Sequence, residues 1–326
     1  MPDGELSIWA VSDGRAGIEA QAVGLAQAVA RLRPAKISIK RLAFRRAGRR
    51  PWWLHLRPLH DLDPASGIAP PWPDLWIGCG RASVALSMRV RRWSRGRTFV
   101  VQLQDPQAPA GAFDLVIPPR HDQLAGPNVL PILGSPHRVT PERLAEEAKA
   151  FEALLAPLPR PRVAVLIGGR SKAFDLPPAR AAEIAEEIGQ AVSAAGGSVM
   201  VTFSRRTPDA ARAVLAARLA DLPGLVWDGE GANPYFAFLE AADHILVTED
   251  SINMAAEAAF TGKPVHILAL PGGSAKFRRF HEELAKAGAA RAFTGSLESW
   301  VYDRVRETDR AAQDILLRVD GRRNSI

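Results

Sequence analysis

Three segments in the C-terminal half of this 326-residue sequence carry the residue types that hold a phosphate. Gly168-Gly169-Arg170-Ser171-Lys172 combines two glycines, which let a backbone approach a ligand closely, with two cations and a hydroxyl. Successive backbone N–H groups in such a turn can cradle an anion. Thr202, Ser204, Arg205 and Arg206 bring two hydroxyls and two guanidinium groups to the end of an apolar run. Thr207-Pro208 follows them as an N-cap and first helical residue. Glu249-Asp250-Ser251 ends a third apolar run and opens a helix, whose free N–H groups favour a phosphate. Glu257 lies one to two turns into that helix, suited to ribose hydroxyls, and Asn233 opens a further helix nearby. Each segment also reads as ordinary turn and cap chemistry.

The N-terminal half offers acids in place of phosphate donors. Asp13, in Ser12-Asp13-Gly14-Arg15-Ala16-Gly17, suits general base work better than phosphate binding, with a helix-cap role as the alternative. His121, beside Asp122, is a second candidate base and otherwise an ordinary surface histidine. The single cysteine, Cys79, sits in an apolar run and reads as core; it excludes an internal disulfide framework and fits a reducing compartment. The seven histidines are scattered, with none at metal-ligand spacing from a cysteine or carboxylate, so no metal is expected. No cofactor is expected either, the nucleotide entering as substrate.

These residues need a scaffold that brings strand ends together. Apolar strands are expected at 6–11, 36–42, 75–78, 98–103 and 114–118, with a further one at 128–133. The helices between them cover 18–32 and 82–93, and 61–73 is loop. A charged helix over 141–155 precedes Pro157-Leu158-Pro159-Arg160-Pro161, where three prolines in five residues make the best linker. The alternation then restarts, with strands at 162–167, 198–203, 225–228, 244–248 and 264–268. Helices follow at 178–194, 209–219, 235–241, 252–260 and 275–286, and an amphipathic helix over 296–319 closes the chain. This order predicts parallel sheets with helical crossovers, which bind ligands at the carboxyl ends of their strands.

Composition fits a globular protein, with 47% hydrophobic and 24% charged residues. No stretch is long and apolar enough to cross a bilayer. Asp3 and Glu5 stand where a signal peptide would be basic, so a cytoplasmic protein is expected. The net charge of +7 is local: ten Lys/Arg and no acid lie between Arg31 and His60, interleaved with tryptophans. Arg45, Arg46, Arg49, Trp52 and Trp53 head this segment, and Arg89, Arg91, Arg92, Arg95 and Arg97 surround Trp93. The segment reads as a solvated rim, or as a contact with anionic lipid on the inner face of a membrane or with a lipid-linked acceptor. Nucleic acid is not expected, because no nucleic-acid motif accompanies the charge.

Taken together, Ser12-Asp13-Gly14-Arg15-Ala16-Gly17, Gln102-Leu103-Gln104-Asp105-Pro106, Gly126-Pro127-Asn128-Val129-Leu130 and Thr248-Glu249-Asp250-Ser251 resemble the elongated-mitochondria (mitochondrial fission) family, from about Leu6 to Leu297. That family resembles the GT-B glycosyltransferases, including the enzyme that adds N-acetylglucosamine to the lipid-linked peptidoglycan precursor. The resemblance implies an α/β fold of two Rossmann-like domains facing across a cleft. Residues 1–157 would form the acceptor- or membrane-facing domain and 158–296 the nucleotide-sugar domain. Residues 297–326 would be a C-terminal helix and tail packing back on the first domain. It further implies that Gly168, Gly169, Arg170, Ser171, Ser251 and Glu257 hold the donor. Asp13 departs from the Gly/His-rich loop of that enzyme, and plant members of the family are described as recruiters of fission dynamins. Three readings therefore stay open: a metal-independent glycosyltransferase, a nucleotide-sugar epimerase, and a non-catalytic adaptor that binds a protein partner.

Overall fold

The computed structural model describes residues 5–44 and 62–323. The chain divides into two compact units, Met1–Arg138 with Arg306–Ile326, and Val139–Val305. Each is a parallel sheet clothed in helices.

The first unit runs β1 (Leu6–Ser12), α1 (Ala16–Leu32), β2 (Ala35–Arg41), β3 (Leu75–Cys79), α2 (Arg81–Trp93), β4 (Phe99–Leu103) and β5 (Leu115–Ile117). Its strands lie in the order β2-β1-β3-β4-β5, all parallel. β3, β4 and β5 are buried along their whole length, as expected of sheets covered on both faces. The 128–133 segment forms only two isolated parallel bridges beside β5, Val116 to Val129 and Pro119 to Ile132.

The second unit begins with α3 (Pro141–Lys149) and α4 (Glu152–Leu155), a helix pair where one helix was expected. It continues with β6 (Arg162–Ile167), α5 (Pro178–Ala194), β7 (Ser198–Phe203), α6 (Asp209–Leu219), β8 (Gly224–Val226) and α7 (Tyr235–Ala241). β9 (His244–Thr248), α8 (Ile252–Phe260), β10 (Val265–Leu268), α9 (Ala275–Lys286) and the unforeseen β11 (Ala290–Ala292) complete it. The sheet order is β11-β10-β9-β6-β7-β8, again all parallel. The chain lays β6, β7 and β8 outward on one side, then returns to place β9 on the other side of β6.

The division does not fall at residues 157 and 296. Thr140 caps α3 by accepting the Arg143 N–H at 3.2 Å, and the Arg143 guanidinium lies 4.2 Å from the Phe236 ring of α7. These contacts tie α3 to the second unit. The proline-rich stretch is no linker either: the Arg162 side chain donates to the carbonyls of Leu158 and Ala156, binding it to the start of β6.

The final helix, α10, spans Glu307–Arg323 rather than 296–319. Leu297, Trp300 and Val301 have the i, i+3, i+4 spacing of a helical face, yet Val301 is 96% exposed. Trp300 Nε1 donates to the Gly288 carbonyl at 2.7 Å and the Tyr302 hydroxyl to the Lys263 carbonyl at 2.8 Å, which holds this segment extended over the second unit. α10 itself packs back on the first unit as expected. Ala311, Ala312, Ile315 and Val319 complete the core beneath β1 and α1, and Arg31–Asp309 and Arg33–Asp320 ion pairs flank it. Among the described residues, no helix is long and apolar enough to cross a membrane.

Because Ile315 is fully buried and Leu317 is 73% exposed, two truncations on one helix should differ sharply. Ile315→Ala is expected to cost about 2–5 kcal/mol of unfolding free energy in denaturant titration. Leu317→Ala should stay within about 0.5 kcal/mol of the parent chain.

Candidate functional site

In a parallel sheet the ligand crevice opens where successive connections leave in opposite directions. In the second unit that switch point lies between β6 and β9, whose following loops are 168–172 and 249–251. The loop after β7, the other neighbour of β6, carries Ser204 to Thr207.

A buried carboxylate joins all three loops. Asp250, with a side chain 0% exposed, receives the Gly169 N–H at 3.0 Å and the Thr248 hydroxyl at 2.7 Å. Its Oδ2 also lies 2.7 Å from Arg206 Nη1. Thr248 Oγ1 in turn accepts the Gly168 N–H at 2.7 Å. The Arg170 N–H donates to the Arg206 carbonyl at 3.0 Å, and the Ser171 N–H to the Phe174 carbonyl at 2.9 Å. Ser204 N–H reaches the Ile167 carbonyl at 2.8 Å.

This corrects two expectations. The four successive N–H groups of Gly168 to Ser171 do not form an open phosphate cradle, because each already has an acceptor within the protein. Asp250 is an internal anion in that position and not a group presented to a ligand. The glycines serve the close packing. A Cβ on Gly168 would stand 2.1 Å from Asp250 Oδ1, and one on Gly169, at φ +151°, would stand 2.4 Å from the Arg206 carbonyl oxygen. Thr207 also differs: its hydroxyl donates to the carbonyls of Ile167 and Gly168, and Pro208 takes the N-cap position of α6.

The remaining residues fall into two groups. Arg205 and Lys172 are exposed, with no carboxylate paired to either among the described residues, and Ser204, next to Arg205 in sequence, is half-buried. Ser251 caps α8, accepting the Met254 N–H at 3.4 Å, and so sits at the positive end of the helix. Glu257 of α8 accepts the Tyr235 hydroxyl at 2.6 Å, and Asn233 Oδ1 accepts the Tyr235 N–H at 3.0 Å. Burial and the Glu257 charge raise the Tyr235 phenol well above its usual pKa. The others are structural. Arg170 pairs with Asp175 at 3.1 Å, holding that carboxyl below its ordinary range. Glu249 Oε1 accepts the Leu270 N–H at 2.6 Å, and its carbonyl faces His281 Nε2 at 2.8 Å. Thr202 is buried in β7.

The first sheet has its own switch point between β1 and β3, and Asp13 lies at the end of β1. Its side chain is 22% exposed and pairs with Arg15 at 2.8 Å, and it accepts the Arg15 N–H at 3.2 Å. Cys79, ending β3, is buried; burial foremost, and the Asp13 charge after it, push its thiol pKa far up, which leaves it inert. His121 is not the surface residue expected. It is 3% exposed in a turn after β5, with Nε2 3.8 Å from Asp122 Oδ1. β5 lies three strands from β1, roughly 14 Å at usual strand spacing, so Asp13 and His121 do not form a pair. Arg45, Arg46, Arg49, Trp52 and Trp53 lie outside the described residues. Thr248 and Tyr235 hold site residues in place without being candidates in the sequence: Thr248 joins Asp250 to the remote Gly168, and Tyr235 reaches the remote Glu257.

The family model for mitochondrial fission ELM1 matches residues 16–319. The chain is 31% identical over 274 residues to the mitochondrial fission protein ELM1 of Arabidopsis thaliana, covering 74% of this chain and 63% of that one. It therefore spans less than two thirds of the plant relative's length. It is 26% identical to the uncharacterized protein RP120 of Rickettsia prowazekii, covering 95% and 98% of the two chains. Among solved structures, the UDP-GlcNAc 2-epimerase of Methanocaldococcus jannaschii aligns with TM-score 0.57 at 12% identity, over 96% of this chain and all (100%) of that one. The Neisseria meningitidis UDP-GlcNAc 2-epimerase bound to UDP-GlcNAc aligns with TM-score 0.50 at 12% identity, over 96% and 99%. A glycosyltransferase of kitacinnamycin also aligns with TM-score 0.50, at 15% identity over 98% and 94%. At such identities these likenesses show the fold, the two Rossmann-like units of the GT-B type. By the extent of the family match and the identity to its plant member, the chain belongs to the mitochondrial fission ELM1 family.

Proposed function

We propose that this chain binds a nucleotide-diphosphate sugar at the carboxyl edge of its second sheet and transfers the sugar to an acceptor. The observation that carries this reading is the meeting of three loops at the β6/β9 switch point through Asp250, Arg206 and Gly169. In this reading the diphosphate is held by side chains and a helix end, since the loop amides are spent internally. Arg205, Ser204 and Lys172 supply charge and donors, Ser251 brings the N-terminus of α8, and Glu257 takes the ribose hydroxyls. When the bond between the anomeric carbon and the phosphate oxygen breaks, negative charge grows on the leaving diphosphate, and these fixed donors stabilise it. Asp13 accepts the acceptor hydroxyl's proton as that oxygen bonds to the anomeric carbon. The epimerase structures of the same fold support a second reading, in which the donor turns over with no acceptor.

Titration calorimetry with uridine, guanosine, cytidine and thymidine diphosphates tests the donor site. One of them should bind, and Arg205→Ala should weaken it about ten- to a hundredfold, the worth of one charged hydrogen bond. Silence from all four would sink the nucleotide reading and favour the adaptor. For the base, turnover by Asp13→Asn should fall roughly a hundredfold or more at unchanged donor affinity. Unchanged turnover removes Asp13 from the chemistry, and turnover without acceptor selects the epimerase.

The acceptor side is read as facing anionic lipid. Trp93 is exposed and stacks on Trp72 at 5.6 Å, and Arg92, Arg95 and Arg97 stand exposed beside it. The chain should float with vesicles containing anionic phospholipid at low salt and be released as salt screens the charge. A chain that stays at the bottom of the gradient at low salt returns this basic region to a solvated surface.

A further inference from the structure

We propose that Tyr235 is a positioning residue that fixes the Glu257 carboxylate and so makes the nucleotide site select ribose over 2′-deoxyribose; the inference rests on the nucleotide reading above. Glu257 is the one carboxylate on α8, whose residues Ala255, Ala256, Ala258, Ala259 and Phe260 are buried. A glutamate on such a helix keeps several rotamers unless something holds it. The Tyr235 hydroxyl does so, donating to Oε2 at 2.6 Å, the length of a charge-assisted bond. Burial and the adjacent negative charge keep the phenol protonated, so that it has a proton to donate to this carboxylate.

The donor is itself held from three directions. Asn233 Oδ1 takes the Tyr235 N–H at 3.0 Å and sets the start of α7. Arg143 of α3 covers Phe236, and Tyr235 packs edge-on against that ring with centroids 5.4 Å apart. At the far end of α7, Lys263 Nζ donates to the Leu239 carbonyl at 2.7 Å. Glu257 is therefore oriented by a rigid neighbour before any ligand arrives. A carboxylate has about four acceptor positions, and the phenol occupies one of them. Glu257 stands six residues after Ser251, about 9 Å along the helix axis, a separation comparable to that between the diphosphate and the ribose hydroxyls of one nucleotide.

The test measures affinities of the full chain for uridine, guanosine and cytidine diphosphates, their 2′-deoxy counterparts, and inorganic pyrophosphate. The parent chain should prefer the ribonucleotide about tenfold or more. Tyr235→Phe should bring that ratio close to one while pyrophosphate affinity stays the same, since a freed carboxylate loses its pre-set geometry. Glu257→Gln should lose the same preference, and adding Tyr235→Phe to it should cost nothing further, because both act through one group. A merely structural tyrosine would weaken nucleotide and pyrophosphate alike and leave the ratio intact; that result overturns the inference and spares the nucleotide site. Binding of a 2′-deoxynucleotide alone overturns the inference only; absence of binding by every ribonucleotide and every 2′-deoxy counterpart, thymidine diphosphate included, overturns both.

Discussion

A carboxylate removed from water must be met by donors, and the second unit is organised around meeting one. Asp250 is fully buried and has the Gly169 amide, the Thr248 hydroxyl and the Arg206 guanidinium as partners. Such a group destabilises a fold when any partner is missing and fixes the geometry of its partners when all are present. Here the partners come from the end of β9 and from the loops after β6 and β7, the next two strands in the sheet. The constraint accounts for both glycines: one leaves room for the carboxylate, the other for the Arg206 carbonyl. It also accounts for Thr207, whose hydroxyl closes the same loop from the other side.

That arrangement decides where positive potential is available. A Gly-rich turn with open amides would concentrate it in the backbone; this turn spends its amides on Asp250, Thr248 and neighbouring carbonyls. Arg206 is balanced by the same carboxylate. Among the described residues, Arg205 and Lys172 carry the charge that no carboxylate pairs, with the end of α8 adding its dipole beside Ser251. Fixed geometry lies instead between α7 and α8, where Tyr235 and Glu257 are joined by a short hydrogen bond.

The first unit repeats the architecture with different chemistry. Its switch point presents Asp13 and Arg15 as an ion pair, with Cys79 buried close enough to feel the Asp13 charge. Its core is closed by α10, contributed from the far end of the chain through Ala311, Ala312, Ile315 and Val319. The polypeptide therefore passes from the first unit to the second and back again, and residues 297–305 and 307–323 belong to different units although they adjoin in sequence.

The strands were legible because parallel strands buried on both faces must be continuous apolar runs, as Val163 to Ile167 and Ile245 to Val247 are. Strand order in the chain, together with the crossover helices, gave the fold class, and the polar residues clustered at strand ends marked the functional edge. Local spacing misled where tertiary contacts outweighed it. Leu297, Trp300 and Val301 have helical periodicity, but Trp300 and Tyr302 are bonded to distant carbonyls. His121 has the composition of a surface loop around it and is buried. The roles within the second-unit site could not be read at all from the chain, because they depend on partners such as Gly169 and Asp250, which are 81 residues apart. Sequence determined the long buried strands and which residue types gather at their ends, while β11 and the bridged 128–133 segment depended on their neighbours. Tertiary structure alone decided that the amides of Gly168 to Ser171 are met within the protein, one of them by Asp250, since a hydrogen bond is defined by proximity in space and its sequence separation leaves no local pattern.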